Sequence, residues 1–300
     1  MKDKLKSKLL YFLYKYGEYL SDKVYIKWVY YLTVGKRLNL NNPKTFSEKL
    51  QWLKLYDRTP LCTKLVDKIL VKEYVANIIG KQYIIPTLAT YNSPADIDFD
   101  KLPNQFVLKC NHNSGGLCIC KDKSKLDYAK VKENLEISLK RDYYLNGREW
   151  PYKDIKRKIL AETLMVDEHN DDLVDYKFFC FNGIPKLCQV ISDRNTEEKI
   201  DFYDMEWNRQ ESLVGLVGLN PKVRNSTHII DEPKTFATMK EIAGKLSKGF
   251  PFSRIDLYEV NGRCYFGEIT FFPLSGFGWF NPVEWNDIIG DWLELPINKK

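Results

Sequence analysis

The chain has 300 residues, 44% hydrophobic and 29% charged, with 46 Lys and Arg against 40 Asp and Glu. That balance suits a folded body of two or three subdomains and excludes a disordered chain. The whole positive excess lies in residues 1–40, where nine bases (Lys2, Lys4, Lys6, Lys8, Lys15, Lys23, Lys27, Lys36, Arg37) meet three acids (Asp3, Glu18, Asp22).

The rest of the chain is neutral, so it carries no basic stripe for nucleic acid. No apolar run approaches the roughly 18 residues of a membrane span. The N-terminus lacks the apolar region of a signal peptide. Seven cysteines, with Cys118-Ile-Cys120 unlike a zinc or thioredoxin motif, read as reduced thiols in a cytoplasmic protein. Three scattered histidines (His112, His169, His228) argue against a histidine metal site.

Leu5, Leu9, Phe12, Leu13, Tyr16 and Leu20 recur at helical spacing, and a second helix is expected over 23–33. Asn41-Asn42-Pro43 breaks the chain. Thr45 or Ser47 caps a helix running to Leu55, with Glu48 in its first turn. A further helix is expected over 61–79, ending at Gly80, and a short strand at 83–85. Residues 106–110 form a buried strand, Asn111–Gly116 a polar turn and 117–120 the return strand. A helix follows over 126–142. Residues 159–165 form an apolar strand holding Glu162, and His169–Asp172 a turn. Asn182-Gly183 and Asn261-Gly262 each join two strands as hairpins. Met239, Ile242, Ala243 and Leu246 share a helical face, and Trp285 and Trp292 lie on a terminal helix.

The hairpin at 254–270 places Arg254, Asp256, Glu268 and Thr270 among apolar residues. Acids in apolar strands need a cation, and oxygen-only ligands suit Mg²⁺. A two-residue turn at Asn261-Gly262 would send Asp256 and Glu268 to opposite faces. A three-residue loop with a G1 bulge pairs Glu259 with Arg263, sets Arg254 opposite Glu268 and keeps Asp256 and Thr270 on that face. The bulged loop is the expectation; the other reading of these residues is a structural ion-pair cluster. Lys109, at a strand end, can reach phosphates that the Ser114–Gly116 amides cap, or the turn is an ordinary one. Neither a Walker loop nor a dinucleotide glycine fingerprint is present. Glu162 either accepts from a buried amino group such as adenine N6 or stands in water at a strand end.

The order of these stretches, with Pro43–Lys49, Asp67-Lys68, Leu102–His112, Asp122-Lys123, Asp175–Gly183 and Phe266–Pro273, resembles the TupA-like ATP-grasp family of bacterial teichuronopeptide and capsule synthesis. The resemblance implies an α+β ATP-grasp fold. Two subdomains with antiparallel sheets, 61–165 and 166–300, would clamp ATP behind an N-terminal helical segment, 1–60. It implies that Lys68 and Lys109 hold phosphates under a lid of Asn113, Ser114, Gly115 and Gly116. Glu162 would meet adenine, and Asp167 or Glu168 the ribose. Lys177 and Arg254 would meet phosphates, with Arg254 and Lys109 catalytic, and Asp256, Glu268 and Thr270 would bind Mg²⁺. Thr270 stands where the family usually has Asn. The stretch before Lys68 is short for the customary acceptor domain.

The expected activity is an ATP-dependent carboxylate–amine ligase of bacterial surface polysaccharide. Its acceptor would be a sugar acid or amino acid, or a lipid-linked polysaccharide intermediate. A sugar kinase using the same site is the alternative. A glycosyltransferase rests on Asp96-Ile-Asp98-Phe-Asp100, which also reads as a solvated turn, and a non-catalytic binding module on Thr270. Aromatic and lysine residues within 1–40 suit an anionic membrane surface, or they lie on a helix packed against the body.

Overall fold

The computed structural model describes residues 2–168, 173–193, 197–218 and 224–297, with side chains from residue 5 onward. The turn expected at His169–Asp172 lies outside the described residues.

Two helices open the chain, α1 (Lys2–Tyr16) and α2 (Asp22–Val34). They cross where Gly17 admits the Tyr25 ring; a Cβ on Gly17 would lie 2.5 Å from it. The pair buries Leu10, Tyr25, Ile26, Val29 and Tyr30 in a small core shared with Phe277. The N-terminal apolar stripe divides: Leu13 and Leu20 pack on this core, while Leu5, Leu9, Phe12 and Tyr16 are exposed. Helix α3 (Phe46–Tyr56) starts at Thr45, whose hydroxyl accepts from the Glu48 amide while Glu48 accepts from the Thr45 amide. Its Phe46 is 1% exposed, against Phe179, Phe181, Phe252 and Phe280. Burying such a ring is worth about 1.5–3 kcal/mol, so this contact ties α3 to the main body.

The helix expected over 61–79 is two, α4 (Leu61–Val66) and α5 (Leu70–Ile79). The break lies at Asp67, whose carboxylate accepts from the amides of Ile69 (2.8 Å) and Leu70 (3.2 Å) and so starts the second helix. The strand expected at 83–85 is a short 3-10 turn with one bridge, Ile84 to Phe266.

A four-stranded antiparallel sheet follows, β1 (Thr87–Tyr91), β2 (Phe106–Cys110), β3 (Cys118–Cys120) and β4 (Ile159–Thr163), in the order β1-β4-β2-β3. Helix α6 (Tyr128–Lys140) closes its core with Val131 and Leu135. The short α7 (Tyr143–Gly147) precedes β4.

The larger sheet runs β10-β9-β5-β6-β7. Its strands are β5 (Asp175–Phe181), β6 (Ile184–Ser192), β7 (Lys199–Tyr203), β9 (Phe252–Val260) and β10 (Arg263–Thr270); β8 (Val214–Val217) pairs with β11 (Trp279–Asn281). Helix α8 (Phe236–Ser247) buries Met239, Ile242, Ala243 and Leu246 in this sheet's core. The terminal α9 (Trp285–Trp292) lies near α3. Cys62, Leu65, Val66, Val71 and Val75 of α4 and α5 also join this larger core. All seven cysteines are free thiols. No helix among the described residues is long and apolar enough to cross a membrane.

Candidate nucleotide and metal site

The hairpin register differs from the expected one. Val260 pairs with Arg263 across a two-residue turn, with Asn261 at φ +50° and Gly262 at φ +71°. Such left-handed pairs match strand twist, which is why Asn-Gly favours them. The three-residue loop is therefore absent. The extra residue is Gly267, in mid-strand: Phe266 pairs with Leu257, and Glu268 with Asp256. A Cβ on Gly267 would lie 2.8 Å from the Tyr258 ring and 3.0 Å from the Asp256 carbonyl. A glycine bulge thus returns Glu268 and Thr270 to the face of Asp256. Glu268 stands opposite Asp256, and Arg254 opposite Thr270, rather than Arg254 opposite Glu268.

Lys177 on β5 is also opposite Asp256. The row Lys177–Asp256–Glu268 therefore crosses three neighbouring strands on one face. Arg254 Nε and Nη2 each donate to Asp256 at 2.7 Å, Nη2 donates to Thr270 Oγ1 at 3.2 Å, and the Lys177 ammonium donates to Asp256. Asp256 is fully buried; burial raises its pKa most, with Arg254 and Lys177 opposing. For Glu268 burial is again the largest influence and raises the pKa. The charges of Lys68, Lys177, Arg254 and Lys109 together outweigh it and bring the group to about 2. Glu268 is an ionised oxygen donor on the wall of a cavity of about 620 Å³ that Lys68, Arg254 and Thr270 also line.

The opposing cations come from the smaller sheet and from the start of α5. Glu162 pairs with Val107, which places Lys109 diagonally beside it on the same face. The Lys109 ammonium bonds the Glu162 carboxylate, as does Lys72 from α5 at 2.5 Å. Glu162 is 4% exposed, so it does not stand in water; burial makes the two ammonium partners necessary. Lys68, set by the break before α5, donates to the Asn113 carbonyl at 2.7 Å. Burial lowers its pKa, with Glu268 opposing.

The expected lid divides in two. Asn113 is 2% exposed and its amide donates to the Ser138 carbonyl (3.0 Å) and hydroxyl (2.8 Å), an anchor rather than a lid residue. Ser114, Gly115 and Gly116 are exposed. Asp167 accepts from the Asn261 amide at 2.7 Å, and the Glu168 amide donates to the Asn261 side chain at 2.9 Å. The link between the sheets is thereby tied to the β9–β10 turn.

Lys72 was not singled out from the sequence. Its signal is its place one helical turn after Lys68 within the apolar run Leu70, Val71 and Val75. The acids at 96–100 close their own turns: Asp96 accepts from the Ser93 amide and Asp98 from the Asp100 amide. Among the described residues no group of three or more His, Cys, Asp or Glu is arranged to hold a metal. The oxygens at the hairpin are two carboxylates and a hydroxyl: Glu268 and Thr270 line the cavity, while the Asp256 oxygens are held by Arg254 and Lys177. This all-oxygen set fits Mg²⁺ once Asp256 exchanges those partners and phosphate oxygens and water complete the shell.

A family model described as TupA-like ATPgrasp matches residues 48–294. No curated protein matches the chain. Among solved structures it is similar to D-alanine–D-alanine ligase from Bacillus anthracis complexed with ATP, at 15% identity and TM-score 0.40, covering 74% of this chain and 55% of that one. The chain thus spans just over half the length of that ligase. It is also similar to D-alanine–D-alanine ligase from Helicobacter pylori (13% identity, TM-score 0.44, 83% of this chain and 69% of that one). A third is the ATP-grasp ligase PsnB complexed with minimal precursor, Mg and ADP (11% identity, TM-score 0.43, 82% and 65%).

Proposed function

The chain belongs to the TupA-like ATP-grasp family, and we propose that it is an ATP- and Mg²⁺-dependent ligase that activates a carboxylate and joins it to an amine. The observation that carries this reading is the apposition of two charged faces. Lys109 comes from the smaller sheet, Lys68 and Lys72 from α5 and the break before it, and Lys177, Arg254, Asp256 and Glu268 from the larger sheet.

ATP lies between the sheets in this reading. Lys68 and Lys109 meet its phosphates, with Ser114, Gly115 and Gly116 closing over them. Lys177 and Arg254 hold the γ-phosphoryl from the other side. Glu162 orients Lys72 and Lys109, so the adenine falls to the link after β4, with Asp167 and Glu168 towards the ribose. Asp256, Glu268 and Thr270 would hold Mg²⁺, which when bound offsets phosphate charge. An oxygen of the acid attacks the γ-phosphorus, the bridging P–O bond breaks and ADP leaves. The amine then forms the C–N bond as phosphate departs with the acyl C–O bond, and the amine proton passes to solvent. Catalysis here is positioning plus fixed charge.

The acceptor in this reading is a sugar acid or amino acid of bacterial surface polysaccharide, handled at the cytoplasmic membrane face; family resemblance supports that context. A lipid surface is supported by α1 and α2 themselves. They expose Leu5, Leu9, Phe12 (59%), Tyr16 and Trp28 beside Lys6, Lys8, Lys15 and Lys27. Incubation with ATP, Mg²⁺, amines and a panel of uronic and amino acids tests the chemistry. ADP with free phosphate is the expected product. A phosphoester without free phosphate identifies the kinase alternative. Absence of ADP, phosphate and ATP binding refutes both.

A further inference from the structure

We propose that the cavity beside Arg254 and Glu268 is the chamber for the acid that ATP activates, that Arg141 holds its carboxylate, and that α1 and α2 complete the chamber. The inference rests on the ligase reading and deepens it.

The cavity of about 620 Å³ that reaches Lys68, Arg254, Glu268 and Thr270 extends to Arg141, Tyr143, Asn146, Glu149, Tyr152 and Ser275. A molecule in that second part lies next to the place assigned to the γ-phosphoryl.

The other cations of the site are the ones that the ligase reading assigns to the nucleotide's phosphates. Lys109 is held by Glu162, Lys177 and Arg254 by Asp256, and Lys68 by the Asn113 carbonyl. Arg141 is exposed, and its guanidinium makes no ion pair or hydrogen bond among the described residues. A free planar fork at the edge of a chamber suits a carboxylate.

The remaining walls describe the body of the acid. Tyr143 and Tyr152 meet edge to face, centroids 4.8 Å apart, and both line the cavity, where aromatic carbon suits the apolar side of a sugar ring or a short side chain. Glu149 is buried and accepts from Ser275 Oγ at 2.6 Å. Burial raises its pKa, with the Lys54 ammonium opposing, and a carboxyl there can bond a hydroxyl or amino group of the ligand. The chemical class is a carboxylic acid bearing hydroxyl or amino groups, of monosaccharide or amino-acid size.

The N-terminal helices build this region as well as bordering it. Tyr14 and Thr33 line the cavity. Tyr25 donates to the Asn146 carbonyl at 2.9 Å, and the Tyr144 hydroxyl donates to Asp22. The Arg148 guanidinium lies 4.4 Å over the Tyr25 ring and donates to the Gly17 carbonyl. The stretch that carries Tyr143, Asn146 and Glu149 is therefore clamped to α1 and α2.

The test uses the full chain saturated with Mg·AMPPNP. Saturation-transfer NMR is recorded with D-glucuronate, D-galacturonate, L-glutamine and L-alanine, each against its carboxamide counterpart. The expected result is transfer to at least one acid and not to its amide. Arg141→Ala should lower that acid's affinity at least about tenfold, and Arg141→Lys should restore part of it, with AMPPNP affinity within about twofold of wild type. Tyr14→Ala should weaken the acid and leave the nucleotide alone. If AMPPNP binds but no acid does, or Arg141→Ala binds acid like wild type, the chamber assignment is overturned and the ligase reading stands. If wild type binds no AMPPNP, the ligase reading falls and takes the chamber with it.

Discussion

Glu268 shows how far one side chain is set by its neighbours. Burial raises its pKa, and four cations bring it down to about 2, against an ordinary 4.5. A carboxyl with a depressed folded-state pKa stabilises the fold above its unfolded value, and that contribution is lost as pH falls toward the folded one. The unfolding midpoint of wild type should therefore drop more steeply than that of Glu268→Gln between about pH 5 and pH 3; parallel curves would count against the charge balance. Arg254→Ala should lower the rate of ADP formation about 10²–10³-fold, mainly in kcat, if Arg254 meets charge that develops on the transferring group. A rise in KM alone would limit it to ground-state binding. Lys109, Arg254, Asp256 and Glu268 were legible because charged residues inside apolar strands need a reason to be there. Lys72, Arg141 and Glu149 were not, because lysines, arginines and glutamates in helical or irregular stretches are ordinary surface residues until the chain folds over them.

The hairpin β9–β10 carries the main lesson at the scale of elements. Its existence, ends and Asn-Gly turn were readable from strand periodicity. Its register was not, because the correcting bulge rests on Gly267 in mid-strand, and a lone glycine there does not announce which residue is extra. The right face was reached by a different route, a tight turn plus an internal bulge. Gly267→Val adds side-chain atoms against the Tyr258 ring and the Asp256 carbonyl. It should destabilise the fold by about 1–3 kcal/mol and weaken metal-dependent nucleotide binding more than Gly262→Ala does. Chemical denaturation with nucleotide titration reads both, and equal effects of the two variants would contradict a special role for the bulge. The break between α4 and α5 was hidden for a related reason. Apolar spacing runs through 61–79, and only the Asp67 side chain, turned onto the amides of Ile69 and Leu70, interrupts it.

For the molecule as a whole, the charge asymmetry gains a structural meaning. The body is neutral in sum, yet its site holds cations against individual acids. The basic excess lies on two helices whose inner side is a core and a chamber wall, and whose outer side is aromatic and lysine-bearing. Both readings of the N-terminal stripe find a place: Leu13 packs on the core beside Leu10, and Leu5, Leu9, Phe12 and Tyr16 stay exposed. Leu9→Asp combined with Phe12→Asp should reduce binding to vesicles containing anionic phosphatidylglycerol and leave nucleotide affinity unchanged. Vesicle binding equal to wild type would remove the lipid role of α1.

The central claim is that the two sheets grip a metal-bound nucleotide between them. Isothermal titration of Mg·AMPPNP into the wild-type chain, and into Lys109→Ala and Glu268→Gln, tests it most directly. The expected result is one site per chain, lost without Mg²⁺ and weakened at least about tenfold in each variant. No heat of binding in wild type, or binding that ignores both substitutions and the metal, would contradict it.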